Sequence, residues 1–159
     1  MVMQVKDIMS RPVVTVPESS TLDQVARTML DKRIGCVVVV GLDGEAVGVL
    51  TERDFTAREP ANPFQKNRAP VLFGRNVRQH GMETLYAEAR AIPAWRLMRP
   101  IAASLESQDA VEKAVDLMNR HELLHLVVLR DDRPVGVVSR HDLLRLVYPN
   151  RPEVRTAAA

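Results

Sequence analysis

VGVLTERDF, residues 47–55, returns almost intact as VGVVSRHDL at residues 135–143. Asp142 follows Asp54 by 88 positions, and Val135, Gly136 and Ser139 keep that spacing from Val47, Gly48 and Thr51. The shared phrase is an apolar strand that ends in a hydroxyl, two polar residues and a carboxylate. Architecture alone requires the strand to recur, whereas a recurring hydroxyl–carboxylate pair is chemistry.

Working outward, the match extends far upstream, and an internal repeat of this length decides the fold. Met98 lies 89 residues after Met9, and the same offset pairs Thr15 with Ser104, Leu22 with Val111, Met29 with Met118, and Val38 with Val127. The offset drops to 88 between GLDGEA (41–46) and RDDRP (130–134), where a Gly/Asp/Pro turn tolerates the loss of one residue. The chain thus divides into a unit at 1–58, a basic linker with one helix at 59–95, a second unit at 96–149, and a flexible tail at 150–159.

Each unit reads in the same order. A short helical turn, KDIM or WRLM, leads into an extended piece, VVTV or IAASL. An amphipathic helix follows, with Leu22, Val25, Ala26, Met29 and Leu30 at helical spacing, and Val111, Ala114, Val115 and Met118 in the second copy. Ser20 or Thr21 suits the N-cap of the first helix and Asp109 that of the second. Then come a β-branched run (IGCVVVV, LLHLVVL), a turn, a second strand, and a helix starting near Glu52 or Arg140. This β-α-β-β-α order gives an α/β fold, and a unit of some fifty residues has too little core to stand alone. Strands apolar on both faces are sheets covered on both sides.

Composition bounds the function. Apolar residues make up 46% of the 159, aromatics only 4%, so the core is aliphatic. No apolar run approaches the length of a membrane span, the N-terminus carries charge where a signal peptide needs apolar residues, and the lone Cys36 fits a reducing compartment. A cytoplasmic protein with no membrane partner is the expectation. Residues 60–99 hold Lys66, Arg68, Arg75, Arg78, Arg90, Arg96 and Arg99 against only Glu83 and Glu88. That bias suits an acidic partner, phosphates, or a solvated face. Prolines 60, 63 and 70 exclude a continuous helix in the first part, and METLYAEARAI (82–92) reads as one helix. No phosphate-binding glycine loop, metal-ligand cluster or base–nucleophile pair is present, so the expectation is no enzyme, no metal and no catalytic cofactor.

Thr51 with Asp54, and Ser139 with Asp142, fall where a strand runs into a helix. Unpartnered backbone N–H groups gather there, and anionic or hydroxyl-rich ligands are favoured. A carboxylate so placed accepts two hydrogen bonds from a vicinal diol, as acidic residues do for ribose in dinucleotide folds. The same spacing is that of a capping box, whose work is to satisfy helix-end donors. Both readings stand at the level of sequence. Arg53, and Arg140 with His141, are cations suited to phosphate or to a solvated surface.

Two such units, each closing on G-h-[VL]-[TS]-x-x-D-[FL], resemble the tandem cystathionine-β-synthase (CBS) domain pair, the Bateman module. The openings DIMSRPVVTVPESSTL and LMRPIAASLESQDAV and the central strand LLHLVVL carry the likeness, which leaves out the basic middle and the tail. The resemblance implies two β-α-β-β-α units related by a pseudo-two-fold axis and packed sheet to sheet. It also implies non-catalytic, regulatory binding of AMP, ADP, ATP or a related adenosyl ligand in two clefts, in the manner of an energy sensor. One cleft would combine Thr51, Arg53 and Asp54 with Ala103, Leu123 and His125 of the other unit. The second would combine Ser139, His141 and Asp142 with Val14, Ile34 and Cys36. A homodimer and a protein partner that reads the ligand state are expected.

Departures from the family pattern are IAAS in place of VVTV, Val38 and Val127 where many members carry Pro, and His125 against Cys36. The last of these predicts unequal affinities. The competing expectation is an interaction or scaffold protein with vestigial clefts, working through residues 60–99. As a nucleic-acid binder it would lack aromatic interleaving, with only Phe64, Phe73, Tyr86 and Trp95 in or beside that stretch.

Overall fold

The computed structural model describes residues 2–56 and 71–148. The prolines at 60, 63 and 70, the cations Lys66 and Arg68, and the tail at 150–159 lie outside the described residues.

The elements follow the repeat. The first copy runs α1 (Val5–Ile8), β1 (Thr15–Pro17), α2 (Leu22–Lys32), β2 (Cys36–Val40), β3 (Ala46–Thr51) and α3 (Glu52–Thr56). Between the copies stand β4 (Val71–Leu72), β5 (Arg75–Asn76), α4 (Val77–His80) and α5 (Met82–Ala89). The second copy runs α6 (Ala94–Leu97), β6 (Ser104–Leu105), α7 (Val111–Arg120), β7 (His125–Arg130), β8 (Arg133–Ser139) and a 3-10 helix (Asp142–Leu146). Each copy has a three-stranded sheet with its second strand in the middle: β1 parallel to β2 and β3 antiparallel to it, then β6, β7 and β8 likewise. The register shift between Val39 and Val40 returns between Val128 and Leu129.

The lost residue lies in the hairpin turn. Val40 pairs with Ala46, and its counterpart Leu129 with Pro134, so the second connection is one residue shorter. Asp131 and Asp132 close it, both at positive φ. Left-handed backbone at both central positions matches the twist of a two-residue hairpin, and Asp tolerates it.

The structure divides into two compact units that do not follow the repeat boundaries 1–58 and 96–149. One comprises Val13–Ile101, and the other Met1–Pro12 with Ala102–Ala159. The opening turn of each copy therefore belongs with the body of the other copy. Backbone bonds show why. Val5 N–H donates to the Asp109 carbonyl and Lys6 N–H to the Ser107 carbonyl, while Ala94 N–H donates to Ser20 and Trp95 N–H to Glu18.

In the 13–101 unit the core is Val16, Leu22, Val25, Met29, Val37, Val39, Leu50, Ala89 and Ala94. In the other it is Val5, Ile8, Met9, Leu105, Val111, Ala114, Met118, Leu126, Val128 and Val138. The helical stripe is narrower than the spacing predicts. Leu30 is 77% exposed, because eight residues beyond Leu22 the helix has turned it off the buried face. β2 is buried on both faces, with Cys36 and Val38 as well as Val37 and Val39 hidden.

Thr21 is the N-cap of α2, exchanging bonds with Gln24 in a full capping box. Asp109 is not the cap of α7; that position is Ala110, which has no capping side chain. The Asp109 carboxylate instead accepts the Glu106 N–H at 2.8 Å and pairs with Lys113. The middle segment contains more than the single expected helix. α5 buries Leu85 and Ala89, Phe73 meets Tyr86 edge-on at 5.5 Å, and the Tyr86 hydroxyl donates to the Phe55 carbonyl at 2.6 Å. Arg75 pairs with Glu88 at 2.9 Å, so part of the local basic excess is neutralised.

Candidate functional site

β3 delivers Thr51 to its C-terminal end, and α3 begins at the next residue, which places Asp54 in the first helical turn. The Asp54 side chain is nearly fully buried at this corner, and a carboxylate so buried requires donors. Its Oδ2 accepts both the Thr51 N–H at 2.8 Å and the Thr51 hydroxyl at 2.9 Å. Arg99 Nε donates to the other oxygen, Oδ1.

The second copy reproduces half of this arrangement and changes the other half. Asp142 is equally buried, and its Oδ2 accepts the Ser139 N–H at 2.8 Å and the Ser139 hydroxyl at 2.7 Å. The Asp142 N–H donates back to Ser139 Oγ at 3.3 Å. Its Oδ1 accepts the Ser10 hydroxyl at 3.3 Å, and Arg145 stands off at 3.9 Å.

Each carboxylate therefore caps the corner with Oδ2, as the capping-box reading requires. The two copies differ at Oδ1.

The sequence marks Arg99 only as one cation of the basic stretch and does not single out Ser10, yet they occupy the same repeat position, one residue after Met9 and Met98. Short antiparallel bridges carry them to the carboxylates. Arg99 exchanges backbone bonds with Val49 at 2.9 and 3.0 Å, and Ser10 with Val137 at 2.9 and 3.2 Å. Gly48 and Gly136 permit this approach. A Cβ on Gly48 would lie 2.8 Å from Met98 Sδ and 2.9 Å from the Arg99 carbonyl oxygen, and one on Gly136 would lie 2.6 Å from Met9 Sδ. The glycine in the duplicated VGV phrase was the available signal.

The remaining candidates gather within each unit. In the 13–101 unit, Cys36 opens β2 directly opposite Thr51, Val14 accepts the Val38 N–H just before β1, and half-buried Ile34 precedes β2. Arg53 is exposed. Burial, reinforced by the negative charge of Asp54, pushes the Cys36 thiol up to about 12, so it is a packed thiol rather than a nucleophile. In the other unit, His125 opens β7 opposite Ser139, and half-buried Leu123 accepts Arg140 Nε at 3.0 Å. Half-buried Ala103 precedes β6, and His141 is exposed. Each unit thus holds one strand-end hydroxyl–carboxylate pair, Thr51 with Asp54 and Ser139 with Asp142. Among the described residues no His/Cys/Asp/Glu group could hold a metal ion, and no helix is long and apolar enough to cross a membrane.

Comparison with known proteins agrees with this architecture. The crystal structure of the CBS domain of a CBS domain containing membrane protein from Sphaerobacter thermophilus is 33% identical, with a TM-score of 0.69 over 91% of this chain and 88% of that one. The CBS domain protein PAE2072 from Pyrobaculum aerophilum, solved in complex with AMP, is 26% identical, with a TM-score of 0.65 over 89% and 90%. The uncharacterized protein MJ1404 of Methanocaldococcus jannaschii is 24% identical over 144 residues, 91% of this chain but only 32% of that protein's length. The CBS domain model matches residues 5–59 and again 94–149, and the chain belongs to the CBS domain family as a tandem pair.

Proposed function

We propose that this chain is a non-catalytic regulatory module that binds an adenosine nucleotide at its two strand-end clusters. Thr51 and Asp54, and Ser139 and Asp142, would hold the ribose. Arg53, His125 and His141 would face phosphate or base, and Val14, Ile34, Cys36, Ala103 and Leu123 would contribute apolar contact to the base. The observation that carries this reading is the buried hydroxyl–carboxylate pair, present twice at equivalent corners. AMP in the complex of a relative 26% identical to this chain supports the choice of ligand.

A module of this kind signals only if the ligand binds two conformations with different affinity. A homodimer that passes ligand state to a protein partner is the output we propose. A scaffold with vestigial sites is the competing reading, and the use of both carboxylates as caps favours it.

Calorimetric titration with AMP, ADP, ATP and S-adenosylmethionine separates the two. Micromolar to sub-millimolar binding that weakens in Asp54→Ala or Asp142→Ala supports the sensor. Absence of binding to the folded wild type at millimolar ligand supports the scaffold.

A further inference from the structure

Arg99 and Ser10 stand at the same position of the repeat and reach the same carboxylate oxygen, one as a cation and the other as a neutral hydroxyl. The Arg99 side chain is 51% exposed although its partner Asp54 is 2% exposed. Nε is committed to the carboxylate, and among the described residues the two Nη groups, with their four N–H donors, bond no acceptor. Among the described residues, Asp54 is the one side chain bonded to this guanidinium.

We infer that Arg99 makes the Asp54 cluster selective for phosphorylated ligand, whereas Ser10 leaves the Asp142 cluster tolerant of ligand without phosphate. The inference rests on the nucleotide-binding reading above and deepens it.

The physical reason is an exchange of partners. A ribose hydroxyl that takes Asp54 Oδ1 must displace or share the guanidinium already bonded there. A neutral nucleoside offers the cation nothing in return, so a part-buried ion pair is weakened without replacement. A nucleotide brings a phosphate, which a planar guanidinium fork recognises in bidentate fashion. The cation is then transferred from one anion to another.

At Asp142 the displaced group is a hydroxyl held at 3.3 Å and exposed to water, so nothing charged is lost. Among the described residues other cations stand near Asp142, and none of them repeats the bond that Arg99 makes. Arg145 lies 3.9 Å from the carboxylate and directs Nη1 to the Ile8 carbonyl at 3.4 Å. Arg140 spends Nε on the Leu123 carbonyl, and His141 is exposed. On the Asp54 side, Arg53 is adjacent in sequence and exposed.

The test is calorimetric titration of the full chain with AMP and with adenosine, one cluster at a time. In the Asp142→Ala background, where the Asp54 cluster remains, AMP should bind about 10- to 100-fold more tightly than adenosine, the range of a charge-assisted phosphate contact. Adding Arg99→Ser, which copies the second cluster, should bring that ratio below about threefold while Asp54 still binds. In the Asp54→Ala background adenosine and AMP should bind within about threefold of each other, and adding Ser10→Arg should create a preference for AMP. The Ser10→Arg gain keeps the inference falsifiable even if Arg99→Ser does not fold, which circular dichroism would show. An AMP-to-adenosine ratio unchanged by both exchanges, with binding retained, overturns the role of Arg99 alone. No binding of either ligand to the folded wild type overturns the nucleotide reading itself, and this inference with it.

Discussion

Gly48 lies so close to Met98 that a methyl group on its α-carbon would stand 2.8 Å from the Met98 sulfur. The Arg99 carbonyl oxygen would be 2.9 Å away, and this is backbone already bonded to the Val49 N–H. The opening turn of the second copy is therefore seated by a missing side chain, and that seating brings Arg99 to Asp54.

Gly48→Ala should consequently destabilise the protein by about 1–3 kcal/mol, the usual range for overpacking a tight site. Gly136→Ala should cost less. Its nearest contacts are the flexible Met9 side chain, and the Ser10 carbonyl is 3.3 Å off. Urea denaturation of both variants tests the order. Equal stability of Gly48→Ala and wild type would contradict the close approach.

The two carboxylates should also respond differently to loss of their outer partners. Arg99→Ala leaves a buried carboxylate without its counter-ion, and should cost about 1–3 kcal/mol once the exposure of the guanidinium is allowed for. Ser10→Ala removes a long, neutral, part-buried bond and should cost about 0.5 kcal/mol. The difference in denaturation midpoint reads this directly, and equal losses would show that the ion pair adds nothing beyond a neutral bond.

Cys36 supplies a pH dependence. Its thiol is raised from 9.0 to about 12 by burial and by the charge of Asp54, so the folded state keeps a proton that the unfolded state releases. Stability from this source is complete below pH 9 and is lost as pH rises from there toward 12. Relative to Cys36→Ala, the wild type should lose up to about 1.4 kcal/mol per pH unit above the thiol's ordinary value. The same burial predicts slow alkylation by iodoacetamide at pH 8 until denaturant is added. Rapid modification of the folded protein would contradict it.

Much of this architecture was legible in the sequence because the repeat is periodic and apolar. The 89-residue offset aligns β2 with β7 and α2 with α7, and the single deletion falls in the hairpin turn where the spacing places it. Three things were not legible. The exchange of opening turns depends on backbone bonds such as Val5 to Asp109, which leave no side-chain pattern. Asp109 has the chemistry of an N-cap, but its carboxylate is taken by Glu106 and Lys113, a tertiary choice that local preference does not register. Arg99 looked like one more cation of a basic stretch. Only the bridge to Val49 turns it toward Asp54, 45 residues away in sequence. The motif's place at a strand-to-helix corner was legible, while the group bonded to each Oδ1 came from the opening turn of the other copy.

The central claim is that these two corners bind nucleotide, and the most direct measurement is calorimetric titration of AMP into wild type and into the Asp54→Ala/Asp142→Ala double variant. Wild-type binding that disappears in a folded double variant is the predicted result. Binding of unchanged affinity and stoichiometry in the double variant would contradict it, and would move the nucleotide site away from the strand-end carboxylates.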